Sequence, residues 1–211
     1  MAANPVMDAI SARLGRSSLQ GEALEQRFQT LKKTAPAPVP PNIDRDFVGF
    51  FREQANRNLF DIHDCSHPSQ LVTRLTQQPL PIVLSPQKNV ISLDWSTAES
   101  RLTNNYHKPA ISVVSAVAAI AETGTVAIRS VDAPSAMLFL SEELVIIVNT
   151  KQIVAFQDDL WKTLSLGDHR ALHLISGPSR TADVEQTLQV GAHGPRRVEL
   201  WLVNPEIAPV A

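Results

Sequence analysis

Cysteine, glycine and basic charge are all scarce in this chain of 211 residues. Its one thiol, Cys65, cannot form a disulfide within the chain or supply the several thiolates that hold an iron–sulfur cluster. With 19 Lys and Arg against 21 Asp and Glu, the formal charge is −2, which excludes the basic excess typical of nucleic-acid binders. Only 8 residues are glycine, so a glycine that falls within a motif is more informative than usual.

Long apolar runs are also missing. The most apolar stretch, residues 110–121, spans 12 residues and includes serines, which is too short for a membrane span. The first residues carry neither a basic segment nor an apolar one, so we expect no secretory signal. Together with the low cysteine content, this predicts a cytoplasmic protein.

The composition that remains, 44% hydrophobic and 19% charged, is typical of a globular domain. Apolar residues recur with helical spacing over residues 7–34, and residues 35–41 then include four prolines, which cannot continue a helix. We therefore predict an N-terminal helical arm and proline-rich linker over residues 1–42, followed by an α/β domain over residues 43–211.

Short apolar runs alternate with amphipathic segments along the body of the chain. Leu144–Val148 is apolar throughout, as expected of a parallel strand covered on both faces. The pattern predicts an α/β fold with three layers, an open and mostly parallel sheet flanked by helices. Predicted strands include Leu59–Ile62, Pro81–Leu84, Val90–Leu93, Ile111–Val117, Thr125–Ile128, Ile153–Phe156, Ala171–Ile175 and Val198–Val203. The first predicted helix of this domain follows a cap at Asp44 or Asp46 and ends near Asn58. Further predicted helices cover Ser69–Gln77, Gln157–Leu164 and Arg180–Leu188, and a short helix or turn is predicted at Ser135–Leu140.

The sharpest motif follows the predicted strand that ends at Ile175. Gly177 permits a tight turn there, and Ser179 or Thr181 could cap a helix whose free N–H groups would hold an anion beside Arg180. The alternative is an ordinary helix start, because the acidic Asp183 already complements the helix dipole.

Two further glycine turns border strands, at Ala121–Thr125 and Gly191–Pro195. If the three turns converge at one sheet edge, Glu122 is a candidate acid or base and His193 a candidate proton carrier. Alternatively, the glycines serve turn geometry alone. The ligand-binding candidates are Glu122, Thr123, Gly124, Thr125, Gly177, Pro178, Ser179, Arg180, Thr181, Asp183, His193 and Gly194.

The segment Asp61–His67 offers His63, Cys65 and His67 on one side of a predicted strand. Zinc accepts such ligands, but structural sites add a second, distant ligand pair that this chain lacks. We therefore predict no metal site. The common nucleotide, hydrolase and metalloprotease motifs are likewise absent from the sequence.

The run Ser176–Glu185, followed by Gly191–Pro195 and an apolar strand, resembles the C-terminal signature of the LUD domain family. Ala119–Thr125 is similar to the family's other hallmark, a glycine turn after small residues. The resemblance implies a fold like the NagB/RpiA/CoA-transferase superfamily and a role in the oxidation of L-lactate to pyruvate. It also implies iron–sulfur partner subunits, so that this chain itself would carry no cofactor.

Three hypotheses remain open at this stage. The chain could be a non-redox accessory subunit of lactate oxidation that binds a small anion or partner at the sheet edge. It could instead be an independent enzyme acting on a phosphorylated or acyl-thioester ligand, with Glu122 as nucleophile or base. The third hypothesis is a structural scaffold in which the glycine turns serve only the fold.

Overall fold

The computed structural model describes residues 9, 12–13, 15, 21–34, 46–67, 69–105, 109–164, 170–181, 189–190 and 194–204. The chain divides into two units, Met1–Pro40 and Pro41–Ala211. In the first unit, helix α1 covers Glu22–Thr34, within the predicted helical arm. The proline-rich segment 35–41 lies outside the described residues.

Helix α2, Phe47–Arg57, begins where the sequence predicts a cap. The Asp46 carboxylate accepts a hydrogen bond of 2.8 Å from the Gly49 amide, which satisfies one of the free N–H groups of the first turn. Phe51 and Ala55 have no exposed surface, so this helix is anchored in the core through one face.

A five-stranded sheet with every neighbouring pair parallel forms the centre of the second unit, in the order β1-β11-β6-β3-β2. This confirms the predicted α/β class and the mostly parallel sheet. The strands are β1 (Asp61–Cys65), β2 (Ile82–Leu84), β3 (Ile111–Ser115), β6 (Glu143–Asn149) and β11 (Arg197–Val203). Between them lie helices α3 (Ser69–Thr76) and α4 (Lys88–Ile91), the 3-10 turn Ser96–Arg101, and helix α5 (Ser135–Leu140).

A second sheet of four strands, ordered β7-β4-β5-β8, was not predicted. Its strands are β4 (Ala118–Ile120), β5 (Thr125–Arg129), β7 (Ile153–Val154) and β8 (Leu172–Ile175), and helix α6 covers Gln157–Thr163. Strands β4 and β5 pair antiparallel across the Gly124 turn, so this predicted glycine turn lies between two strands.

Each face of the central sheet buries its own apolar cluster. Alternate residues of β6 point to opposite faces of the sheet. Val145 and Ile147 pack with α3 and α4. Leu144, Ile146 and Val148 pack with α2, α5 and the second sheet. Leu160 of α6 packs on the outer face of the second sheet. The central sheet is therefore covered on both sides, as the continuous apolar run predicted.

Two predicted elements are wrong. The run Val90–Leu93, predicted as a strand, belongs in part to helix α4, and its Val90 is buried while Ile91 is 54% exposed. Periodicity cannot distinguish helix from strand over so few residues. The helix predicted from Arg180 does not begin there, because Arg180–Thr181 forms strand β9, which pairs antiparallel with β10, Gln189–Val190. Residues 182–188 lie outside the described residues.

Candidate functional site

The first glycine turn packs directly on the end of helix α2. Gly124 has a φ of 62°, and a Cβ atom there would lie 2.5 Å from the Gln54 carbonyl carbon. The Asn58 carboxamide nitrogen donates hydrogen bonds to the carbonyl oxygens of Thr123 at 2.7 Å and of Gly124 at 3.2 Å. The turn is thus fixed to α2 by backbone contact and two hydrogen bonds.

The second glycine turn meets the same residue from another side. Gly177 has a φ of 104°, and a Cβ atom there would overlap the Asn58 carbonyl oxygen. That oxygen also accepts a hydrogen bond of 2.8 Å from the Arg180 guanidinium. Arg180 therefore fastens its loop to the end of α2, rather than standing beside a helix N-terminus as the sequence predicted.

The third turn joins the second one. The Ser179 amide donates to the Pro195 carbonyl oxygen at 2.9 Å, and a Cβ atom on Gly194 would lie 3.1 Å from the Ser179 Cβ. The three predicted turns are thus connected, through Asn58 and through Ser179. The contacts that connect them are made mostly by backbone atoms, which favours a structural role for the glycines.

The remaining candidates are divided among different surroundings. Glu122 accepts a hydrogen bond of 2.6 Å from the Gln157 amide, at the first residue of α6. Thr125 and Ser176 share a hydrogen bond of 2.7 Å between their hydroxyl groups. Pro178 is half-buried within the Gly177 loop, and Thr181 is placed in β9. Asp183 and His193 lie outside the described residues.

A cavity of about 250 Å³ adjoins the second and third turns. Among the described residues, its lining has no charged side chain, and the predicted ligand residues that line it are Gly177, Ser179 and Gly194. Apolar side chains contribute most of the rest, namely Leu138, Phe139, Leu144, Leu174, Ile175, Pro195 and Val198. Such a lining suits an apolar group better than the anion that the sequence predicted here.

A larger and more polar cleft, of about 460 Å³, lies at the carboxyl ends of the central strands. Ser115 ends β3, Asn149 ends β6 and Val203 ends β11, so the last residues of three adjacent strands line the cleft. Open α/β sheets bind their ligands at this edge. The other lining residues are Gln87, Lys88, Asn89, Ala116, Val117, Arg129, Asp132, Ile147 and Gln152. We call this feature the carboxyl-edge cleft.

One wall of the carboxyl-edge cleft is fixed by Gln87. Its carboxamide oxygen accepts from the Ser115 amide at 2.7 Å and from the Ser85 hydroxyl at 2.8 Å, and its nitrogen donates to the Ser115 carbonyl oxygen at 2.9 Å. Asn89 donates to the Ser115 hydroxyl oxygen at 2.8 Å. Three of these hydrogen bonds are made by Ser115 and hold the end of β3 in place.

Charge is distributed unevenly around this cleft. Arg129 and Asp132 form a two-pronged ion pair at 2.6 and 2.9 Å. The hydrogen bonds that Arg129 donates to Asp132 raise the pKa of its guanidinium against the effect of burial. Lys88 is exposed and has no ion pair among the described residues. Since the Arg129–Asp132 pair is neutral, the lining carries one excess positive charge.

A second polar cluster lies on β1 and β11, toward their amino ends. The His63 Nε2 atom is 3.5 Å from carboxylate oxygens of both Asp61 and Glu199. Glu199, with 1% of its side chain exposed, is also 3.1 Å from Arg197 and 3.4 Å from Arg74. Ligand atoms of Asp61, His63 and Glu199 lie within 4.8 Å of one another. The arginines nevertheless balance the carboxylates, so this cluster needs no cation for charge neutrality.

The pKa values in this cluster follow from burial and from the arginines. Burial acts to raise the pKa of Asp61, but the hydrogen bond from Arg197 and the positive charges nearby outweigh it and hold this pKa below 3.8. The metal ligands weighed in the sequence are not assembled here, because β1 ends at Cys65 and the Cys65 thiol donates to the His67 carbonyl oxygen at 3.2 Å.

Sequence reasoning missed the carboxyl-edge cleft. The available signal was a polar residue at or directly after each apolar strand, namely Ser85, Ser115 and Asn149. These residues are far apart in the chain, and only the strand order shows that β3 and β6 are neighbours.

Comparison with known proteins agrees with this architecture. Residues 70–203 match the LUD domain. They include four of the five central strands, since only β1 lies before residue 70. The chain belongs to the LUD domain family. The matched residues therefore include the lining of the carboxyl-edge cleft and all three glycine turns.

Relatives of this LUD protein have been found by sequence and by structure. Lactate utilization protein C of Bacillus pumilus (strain SAFR-032) is 32% identical over 121 residues, which cover 53% of this chain and 50% of that protein. An uncharacterised protein of Neisseria meningitidis serogroup B is 54% identical over 33 residues, or 16% of this chain and 14% of that one. The matched region of this chain therefore spans half the length of the Bacillus protein and a smaller share of the Neisseria protein.

A solved structure supports the fold. The crystal structure of a DUF162 family protein from Deinococcus radiodurans superposes with a TM-score of 0.56 at 17% identity, covering 78% of this chain and all of that one. Of the helices in the described part of the LUD protein, none is both long and apolar enough to cross a membrane.

Proposed function

We propose that this LUD protein is a non-redox component of a cytoplasmic system that oxidises L-lactate to pyruvate. Its similarity to lactate utilization protein C supports the pathway. The observation that carries the non-redox role is the state of Cys65, which is 5% exposed and packed in the apolar core. Burial also raises the pKa of this thiol, which disfavours the reactive thiolate.

The redox centres would then belong to iron–sulfur partner subunits, and this chain would contribute binding. The carboxyl-edge cleft, with its excess positive charge, supports a small anionic ligand. The NagB/RpiA/CoA-transferase superfamily remains our proposal for the wider relationship of this fold.

Genetic deletion tests the proposed function. We expect a strain that lacks this protein to stop growing on L-lactate and to grow normally on pyruvate. The Cys65→Ala variant, at wild-type abundance, should restore growth, because no step requires the thiol. Normal growth of the deletion strain on L-lactate would contradict the pathway, and failure of an abundant Cys65→Ala protein would contradict the non-redox role.

A second function is favoured by the size of the cleft. Its volume of about 460 Å³ lies within the range of roughly 300–1,000 Å³ that accommodates drug-sized ligands. The cleft is therefore much larger than the three-carbon lactate requires. This supports an independent enzyme that acts on a phosphorylated or acyl-thioester ligand. Glu122, the candidate nucleophile or base of this hypothesis, is not among the residues that line the cleft, and one of its oxygens already accepts from the Gln157 amide.

The Glu122→Gln variant tests this second function. We expect turnover of such a ligand to fall steeply if the carboxylate reacts, with little change in thermal stability, because the amide oxygen of glutamine can still accept from Gln157. Unchanged turnover would leave Glu122 with only a structural role.

A further inference from the structure

We propose that the carboxyl-edge cleft binds the oxyanion group, carboxylate or phosphate, of an organic ligand larger than lactate, through Lys88, Ser115 and Asn149. This inference rests on the ligand-binding part of the proposed function. It assigns the site to residues outside the glycine turns, and it defines the ligand by the hydrogen bonds that the cleft leaves unmade.

The Ser115 hydroxyl is the first donor. Ser115 is 6% exposed, and its oxygen accepts from Asn89 at 2.8 Å. Its own proton has only the carbonyl oxygens of Ala116 and Ile147 nearby, each at 3.5 Å. Hydroxyl donors normally lie about 2.7–2.8 Å from their acceptors, so this proton lacks a good partner within the protein. An acceptor atom in the cleft would provide one.

Asn149 is the second donor. Its carboxamide oxygen accepts a hydrogen bond of 2.9 Å from the backbone N–H of Lys151. This contact sets the orientation of the carboxamide, with its oxygen toward Lys151. The carboxamide nitrogen, which can only donate, has no partner among the described residues. The Lys88 ammonium adds a positive charge that is not paired within the described part of the chain.

The strongest acceptors of the lining are, by contrast, already used. Both carboxylate oxygens of Asp132 accept from Arg129. The Gln87 oxygen accepts from Ser85 and from the Ser115 amide. Donors without partners beside occupied acceptors select a ligand that brings its own acceptors and negative charge. An oxyanion meets both requirements.

The size and remaining chemistry of the cleft define the rest of the ligand. An oxyanion group fills a small part of about 460 Å³. Asn89 and Gln152 also line the cleft, and their carboxamides can bind hydroxyl or amide groups. The ligand is therefore a polar organic anion with hydrogen-bonding groups beyond its charged end, rather than lactate itself.

Calorimetric titration of the purified full chain tests this inference. The probes are L-lactate, inorganic phosphate, gluconate and 6-phosphogluconate, which separate a carboxylate from a phosphate and a small anion from a large one. We expect at least one of the two larger anions to bind about tenfold more tightly than lactate or free phosphate. Binding of 6-phosphogluconate without gluconate would assign the group as phosphate, and equal binding would assign it as carboxylate. Absence of binding by both larger anions would overturn the inference.

Variants place the bound anion in the cleft. Lys88→Ala and Ser115→Ala should each weaken the binding by about tenfold or more, as expected for hydrogen bonds to a charged group. The matched controls are Lys162→Ala on α6 and Ser112→Ala on the opposite face of β3, which should bind like the wild type. Equal affinity for Lys88→Ala and wild type would contradict the assignment. If the anion binds but the deletion strain grows normally on L-lactate, the binding site is supported and only the role in lactate oxidation is refuted.

Discussion

Replacing Gly124 with alanine tests whether the glycine turns serve the fold. The φ of 62° is a conformation that side chains other than glycine rarely adopt. The new Cβ atom would also lie 2.5 Å from the Gln54 carbonyl carbon, in the backbone of α2. Because α2 is anchored by the fully buried Phe51 and Ala55, it cannot easily move away.

The magnitude follows from three contributions. Left-handed backbone costs a residue with a side chain roughly 1–2 kcal/mol, and overpacking costs about 1–3 kcal/mol. The less flexible unfolded chain returns about 0.4–1 kcal/mol. We expect Gly124→Ala to lower the free energy of unfolding by about 3 kcal/mol, which lowers the Tm by roughly 6–12 °C for a domain of this size.

Urea unfolding and thermal melting measure this loss directly. Gly194→Ala is the matched control, because Gly194 lacks a positive φ and the new Cβ would lie 3.1 Å from a side-chain atom of Ser179. It should cost less than about 1 kcal/mol. A Gly124→Ala protein that unfolds within about 0.5 kcal/mol of the wild type would refute the packing argument. The glycine would then be free to serve a ligand.

Four further substitutions test other parts of the structure. Ser112→Ala should raise the free energy of unfolding by about 1 kcal/mol in urea titrations, because the buried Ser112 hydroxyl has no partner among the described residues. Leu59→Gly should add about 0.5–1 kcal/mol by the same assay, since Leu59 is exposed and has a φ of 62°. Burial raises the pKa of Glu143 above 4.5, so the folded state binds protons more tightly and loses stability as pH rises from 4.5 through that raised pKa. Glu143→Gln should therefore be more stable than the wild type at pH 7, with the difference shrinking toward pH 4.5, and a constant difference would contradict this cause. Arg180→Ala should lower the free energy of unfolding by about 1 kcal/mol, measured by thermal melting, because it removes one exposed hydrogen bond to Asn58. A loss above about 3 kcal/mol would contradict the view that Arg180 contributes only this hydrogen bond.

Local patterns in the sequence predicted much of the fold. Leu144–Val148 became the buried centre of β6, and Asp46 became the cap of α2. Both depend on residues that are close in the chain, where apolar periodicity and capping chemistry act. The second sheet depends on pairing such as that of Val126 with Ile175, which no local pattern encodes.

The same distinction applies to the sites. The sequence left open whether the three glycine turns converge. Asn58 connects the turns at Gly124 and Gly177, but no local feature indicated that an amide at the end of α2 would do so. The carboxyl-edge cleft was missed because Ser115 and Asn149 become neighbours only through the order of the strands. Whether the remaining candidates at the glycine turns bind a ligand stays a prediction.

The rate of pyruvate formation from L-lactate, in extracts of the deletion strain supplemented with purified protein, tests the central claim most directly. The account predicts no pyruvate without the protein, full recovery with the wild type and with Lys162→Ala, and little recovery with an equally stable Lys88→Ala. Pyruvate formation at the wild-type rate without any added protein would contradict it.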